Sequence, residues 1–144
     1  MEMTPLHQQI LAGIKNEAEL HPNYPDLHHQ LGFLYMTKGD LSKAERNLLE
    51  ALHLNPNYRE AINNLRHLYI EMKRWKEAED LFLSELNKYP HDGFPHHLLG
   101  IFYVQMEMKE KAALQFRKAV QLDASYQDLY RKIGIWKKGK IFLN

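Results

Sequence analysis

The chain has 144 residues, a 44% hydrophobic and 26% charged composition, a net charge of +1 and no cysteine. That is the size of one domain with room for a core. The missing cysteines exclude disulfides, thiolate chemistry and cysteine-based zinc sites. The balanced charge gives the whole chain no electrostatic footprint for nucleic acid or an anionic membrane.

The first element is a helix from about Thr4 to Leu20, with Leu6, Ile10, Leu11, Ile14 and Ala18 on one stripe and Thr4-Pro5 as a start signal. Met1–Ile14 lacks the basic and apolar regions of a secretory signal, and no apolar run reaches the ~20 residues of a membrane span. The expected compartment is therefore the cytoplasm. A helix pair follows at 25–58. Leu27, Leu31, Leu34 and Tyr35 form the stripe of its first helix. Gly39 ends that helix, Asp40 caps the second, and Leu41, Ala44, Leu48, Ala51 and Leu52 continue to the stop at Pro56. The plan recurs at 59–92 with Ile62, Leu65, Leu68 and Tyr69, then Trp75, Ala78, Leu81, Phe82 and Leu86. It recurs again at 93–126 with Leu98, Leu99, Phe102 and Tyr103, then Ala112, Phe116, Ala119 and Leu122. A lone helix is expected over about 127–140, carrying Leu129, Tyr130, Ile133 and Trp136, with Ile141-Phe142-Leu143 as an apolar exit. Connections of two to five residues make consecutive helices antiparallel neighbours.

Three stretches superpose at an offset of 34 residues: Leu31, Leu65 and Leu99; Tyr35, Tyr69 and Tyr103; Ala44, Ala78 and Ala112; Leu48, Phe82 and Phe116. Fixed-period self-similarity means one helical unit stacked on copies of itself. The spacing Leu-Gly, Tyr, Ala, Phe, Pro resembles the tetratricopeptide repeat (TPR), a helix–turn–helix unit. The resemblance implies an all-α, right-handed α-solenoid of antiparallel helix pairs. It reads as a single domain over 1–144, with an N-terminal half repeat at 1–24, full repeats at 25–58, 59–92 and 93–126, and a capping helix and tail at 127–144. Arg66 departs from the pattern, standing where Gly32, Gly100 and Gly134 stand, and is expected to reach out to water.

In this family the first helices line a concave groove that binds an extended peptide or a helix of a partner. The matching positions give a candidate groove of His29, Phe33, Asn63, Asn64, His67, Phe94, His97, Ile101 and Arg131. The two phenylalanines and Ile101 serve as apolar anchors, and Asn63, Asn64 and His67 as hydrogen-bonding groups. The clamp with which some members hold a chaperone's C-terminal carboxylate is not matched, since only Asn64 fits it.

Adjacent histidines such as His28-His29 and His96-His97 diverge on a helix and do not converge on one ion. His28 and His96 are expected to pack between helices, while His29, His67 and His97 share the groove and make it pH-sensitive below about pH 6.5. Glu45, Glu50, Glu77 and Glu79 read as solvated surface carboxylates beside Lys43 and Lys76. No catalytic residue, metal site or cofactor is expected. The basic run of Arg131, Lys132, Lys137, Lys138 and Lys140 reads as a solvated cap, with contact to an acidic partner as the alternative.

The reading is a protein–protein interaction scaffold for a protein or peptide ligand, without nucleic acid and without a membrane span. The alternatives are a self-assembling scaffold, in which one copy's last helix accepts the next copy's first helix to give a head-to-tail homo-oligomer, and a secretion-type chaperone holding an exported client.

Overall fold

The structure is a computed structural model and describes residues 3–144. Met1 and Glu2, counted in the expected N-terminal half unit, lie outside the described residues. Among the described residues eight helices run in order: α1 (Pro5–Leu20), α2 (Pro25–Lys38), α3 (Leu41–Leu54), α4 (Arg59–Glu71), α5 (Trp75–Lys88), α6 (Gly93–Gln105), α7 (Lys109–Leu122) and α8 (Ser125–Lys132). Two short strands follow, β1 (Trp136–Lys137) and β2 (Lys140–Ile141). The architecture is the expected one of packed antiparallel helix pairs. The chain divides into two compact units, Met1–Ala78 and Glu79–Asn144.

In the first unit, α2 packs on α3, α3 on α4 and α1 on α2. Its core holds Leu31, Tyr35, Ala44, Leu48, Ala51, Ala61, Leu65, Leu68 and Tyr69, all buried. A small residue, Gly32, sets the spacing of α2 and α3. A Cβ placed on Gly32 would lie 2.7 Å from Leu48 Cγ, so the glycine is what admits the leucine. In the second unit, α6 packs on α7, and Gly100 stands in the same relation to Phe116, at 2.5 Å. Leu99, Phe102, Tyr103, Ala112, Phe116, Ala119 and Tyr130 fill that core.

The helix ends follow the sequence chemistry. The Thr4 hydroxyl accepts from the His7 amide with Pro5 in the first turn, and the Asp40 carboxylate accepts from the Lys43 amide. Gly39 takes φ 81°, with its own amide on Met36 and the Asp40 amide on Tyr35. That is the left-handed helix stop. Lys73 and Glu107 occupy the same place one and two periods on. They make the same bonds, to Ile70 and Val104, at φ 57° and 58°. A side chain there pays a steric penalty that glycine does not. Lys73→Gly is therefore expected to raise stability by about 0.5–1 kcal/mol in urea unfolding, part of the gain being offset by the freer unfolded chain.

Two expectations are corrected. The last helix does not run to 140: α8 ends at Lys132, and Gly134 turns left-handed at φ 82°. The Gly134 amide bonds Arg131 and the Ile135 amide bonds Tyr130, closing the helix. Gly134 sits in the register of Gly32 and Gly100, but nothing lies within 4 Å of a Cβ placed on it. With no second helix pressed against it, the glycine adopts the stop conformation it favours. Ile135 and Trp136 are thus outside the helix. The chain returns as an antiparallel hairpin pairing Trp136 with Ile141 and Lys137 with Lys140. Lys138 and Gly139 form its turn, both at positive φ, as a two-residue hairpin requires. The β1 strand lies against α8 and β2 against α7, so the apolar exit folds back.

The second correction is Arg66. It is 5% exposed and its guanidinium donates to Asn63 Oδ1. A buried cation needs such an acceptor, because leaving it without one costs far more than an ordinary buried polar group.

Candidate functional site

The candidate residues fall on first-type helices: α2 and α4 in the first unit, α6 and α8 in the second. Each unit is taken by itself.

On α2, Phe33 points away from the core and is 50% exposed. His29, one turn earlier, is half-buried between α2 and α4. The Asn64 Nδ2 amino group can only donate, so His29 Nε2 accepts from it at 2.9 Å. The Nδ1 hydrogen then goes to the Tyr58 hydroxyl at 3.2 Å, and the two rings lie 4.9 Å apart. Burial, with the charge of Asp26 nearby, pushes the Tyr58 phenol up to about 12. Asn63 is committed to Arg66, while His67 is exposed. Of the five candidates in this unit, Phe33 and His67 are the ones open to solvent. His29 and Asn64 are spent on holding α2 and α4 together, and Asn63 on the Arg66 guanidinium within α4.

In the second unit, Phe94 (43% exposed) and Ile101 (40% exposed) lie on α6, two turns apart. Val104 is exposed as well. His97 is again half-buried. It stacks on Tyr126 at 5.1 Å and Tyr130 at 5.7 Å, and its Nδ1 is hydrogen-bonded to the Tyr130 hydroxyl at 3.0 Å. Arg131 is exposed and pairs with Asp128 one turn away at 3.1 Å. Phe94, Ile101 and Arg131 are the accessible members here. His96 packs between α6 and α7 as expected, its Nδ1–H donating to Gln115 Oε1 at 2.7 Å, while His28 Nε2–H donates to the Pro22 carbonyl in the loop before α2 at 2.7 Å.

His29 and His97 therefore act as helix clamps within their own units. Burial lowers the pKa of both below its ordinary value, more than Glu60 and Asp26 raise that of His29. The unfolded chain binds protons first, so the folding contribution is full above about pH 6.5 and is lost as the pH falls below it. The melting temperature is expected to drop between pH 7.5 and 5. A double variant, His29→Gln with His97→Gln, should show a flatter profile over that range.

Sequence reasoning missed a second polar device. Glu45 and Glu79 are not simple surface carboxylates. Arg74 bridges Glu45 at 2.7 Å and Glu77 at 2.8 Å while lying 4.6 Å over the Tyr69 ring, and burial, then the nearby Glu45 carboxylate, pushes the Tyr69 phenol up. In the second unit the Tyr103 hydroxyl donates to Glu79 at 2.6 Å, and Lys111 approaches the same carboxylate at 3.7 Å. Burial, then the Glu79 charge, pushes the Tyr103 phenol far up. In both units a tyrosine of a first helix lies near a carboxylate 24 residues before it.

Among the described residues, no group of three or more histidines or carboxylates is placed to hold a metal ion, and no helix is long and apolar enough to cross a membrane.

No curated protein matches the chain. Among solved structures, it is similar to the 41-end portion of MamA from Desulfovibrio magneticus RS-1, at 25% identity and a TM-score of 0.64, over 92% of this chain and 77% of that one. An RS-1 MamA ArsTM double mutant matches at 26% identity and a TM-score of 0.65, over 89% and 76%. The yeast Tom70 matches at 15% identity and a TM-score of 0.66, over 87% of this chain but 25% of that one, a likeness of fold alone. Two tetratricopeptide repeat profiles match consecutive stretches, residues 38–99 and 96–126. With the repeated helix pairs, glycine contacts and helix stops at the same period, this chain belongs to the tetratricopeptide repeat family.

Proposed function

We propose that the chain is a non-enzymatic scaffold that binds a polypeptide segment of a partner through the exposed faces of its first-type helices. The observation that carries this is the exposure of large apolar side chains on those faces: Phe33 on α2, and Phe94 and Ile101 on α6. An isolated exposed apolar residue is ordinary, but Phe94 and Ile101 lie two turns apart on one helix and Phe33 is the largest exposed apolar side chain of α2. Phe33 and Ile101 share one register, two periods apart. The polar candidates beside them divide in two. His67 and Arg131 are accessible for contacts with a bound chain, whereas His29, Asn64 and His97 hold the helices that present the anchors and Asn63 accepts from Arg66.

Phe33→Ala with Phe94→Ala tests this. Both side chains project from the core, so helicity by circular dichroism should stay within error of the parent. Capture of the partner recovered with the parent protein should fall by about tenfold or more, since each anchor carries on the order of 1 kcal/mol. Unchanged capture rejects the assignment.

Head-to-tail self-assembly is the second reading. It is favoured by the outer side of α1, where Leu6 is 63% and Ile10 42% exposed. It predicts a mass in light scattering that rises with concentration and stops rising in Leu6→Ser with Ile10→Ser. A mass independent of concentration excludes it.

A further inference from the structure

The C-terminal hairpin carries a charge arrangement that the helical scaffold does not use. From Leu129 to Asn144 the chain contains Arg131, Lys132, Lys137, Lys138 and Lys140, and no acidic side chain. Arg131 is neutralised by Asp128. The other four are exposed, and among the described residues no carboxylate forms an ion pair with them.

Strand alternation sorts the hairpin into two faces. Trp136, Ile141 and Leu143 are half-buried and belong to the face toward α7 and α8. Lys137, Lys140 and Phe142 belong to the other face, and all three are exposed, Phe142 at 48%. Lys137 and Lys140 are direct cross-strand partners, and Lys138 sits beside them in the turn. Like charges directly opposite one another destabilise a strand pair. An anionic group laid across the pair would turn that repulsion into attraction for both lysines at once.

We propose that the outward face of this hairpin, Lys137, Lys138, Lys140 and Phe142, is a docking site for an acidic segment of a partner polypeptide. The site is separate from the first-helix faces and does not depend on the reading given to them. A polypeptide is favoured over an anionic bilayer for two reasons. The indole of Trp136, the side chain suited to a membrane interface, belongs to the inward face. The lysines also occupy one two-residue turn and the strand pair that flanks it, a narrow patch and not the long basic face with which a surface helix meets an anionic bilayer. An extended acidic chain can lie along a strand edge, its carboxylates reaching the lysines and its apolar side chains Phe142.

The test is an NMR titration of the full chain with a synthetic hexaglutamate peptide at low salt. The expected result is amide shifts centred on Lys137, Lys138, Gly139 and Lys140, with affinity that falls as salt is added. Lys137→Gln with Lys140→Gln should weaken binding by about tenfold, while Phe33→Ala with Phe94→Ala leaves it unchanged. Three results would overturn the proposal. The first is shifts confined to other parts of the chain. The second is equal affinity in the lysine variant, including the case in which that variant self-associates, which would make the lysines edge guards only. The third is co-sedimentation with phosphatidylserine vesicles in the absence of hexaglutamate binding, which would assign the lysines to a lipid surface.

Discussion

Tyr130→Ala is expected to lower the unfolding free energy by about 3–5 kcal/mol, the range for truncating a large buried aromatic. Tyr130 is fully buried although it belongs to the shortest helix of the chain. Its ring packs on Phe116 at 5.0 Å and on Tyr126 at 5.8 Å, and its hydroxyl bonds His97. Its carbonyl also accepts the Ile135 amide that closes α8 ahead of the hairpin. One side chain thus anchors α8 to both α6 and α7. The loss should appear first as collapse of the Trp136 indole resonance toward its random-coil position, because β1 rests on α8. Tyr130→Phe keeps the ring and should cost only about 1 kcal/mol, the net value of one hydrogen bond. A cost below about 1 kcal/mol for the alanine variant would show that α8 is held by something else.

Leu48→Ala is the second large effect, at about 2–5 kcal/mol by urea unfolding. Leu48 is fully buried, and its Cγ occupies the space that Gly32 leaves open. The cavity has no easy way to close, since α2 and α3 are already at their nearest approach through Gly32 and Ala44. The reciprocal change gives a sharper check. Gly32→Ala alone drives a methyl into Leu48 and should destabilise by about 1–3 kcal/mol. Combined with Leu48→Ala, the added methyl has room, so the double variant should be less destabilised than the sum of the singles. Simple additivity would mean that the two residues do not share that space.

What could be read from the residues follows from which interactions leave a periodic trace. The helices and their cores were legible because burial demands apolar side chains at fixed spacing. Leu31, Tyr35, Ala44 and Leu48 recur 34 residues later, and all are buried. The stop at Gly39 and the start at Asp40 were legible because few residues can make that turn and that cap. Gly134 was misread because the same Leu/Ile-Gly pair has two uses. Whether the glycine sits inside a helix or ends it depends on whether a second helix packs over it, and that information lies elsewhere in the chain. Arg66 was misread because a charged residue in a small-residue position suggests an escape to water, and the nearby Asn63 was assigned to ligand binding instead.

Phe33, Phe94 and Ile101 were expected on an open face, and they are exposed. His29 and His97 were assigned to the same face because register alone does not show what comes to lie beside a side chain. A signal was nevertheless present. His29 and Tyr58 are 29 residues apart, and His97 and Tyr126 have the same separation. Extending the alignment of repeats from apolar to polar positions exposes that pairing, and likewise the tyrosine–glutamate pairs Tyr69–Glu45 and Tyr103–Glu79.

The central claim is that exposed first-helix side chains form the surface that holds another polypeptide. Site-specific photocrosslinking tests it most directly. A benzoylphenylalanine is placed in turn at Phe33, Phe94 and Ile101, and at Leu49, Leu83 and Leu114, which are exposed leucines of second-type helices. The account predicts a common crosslinked partner from the first three positions and none from the second three. Crosslinks arising equally from both sets, or only from the leucines, would contradict it.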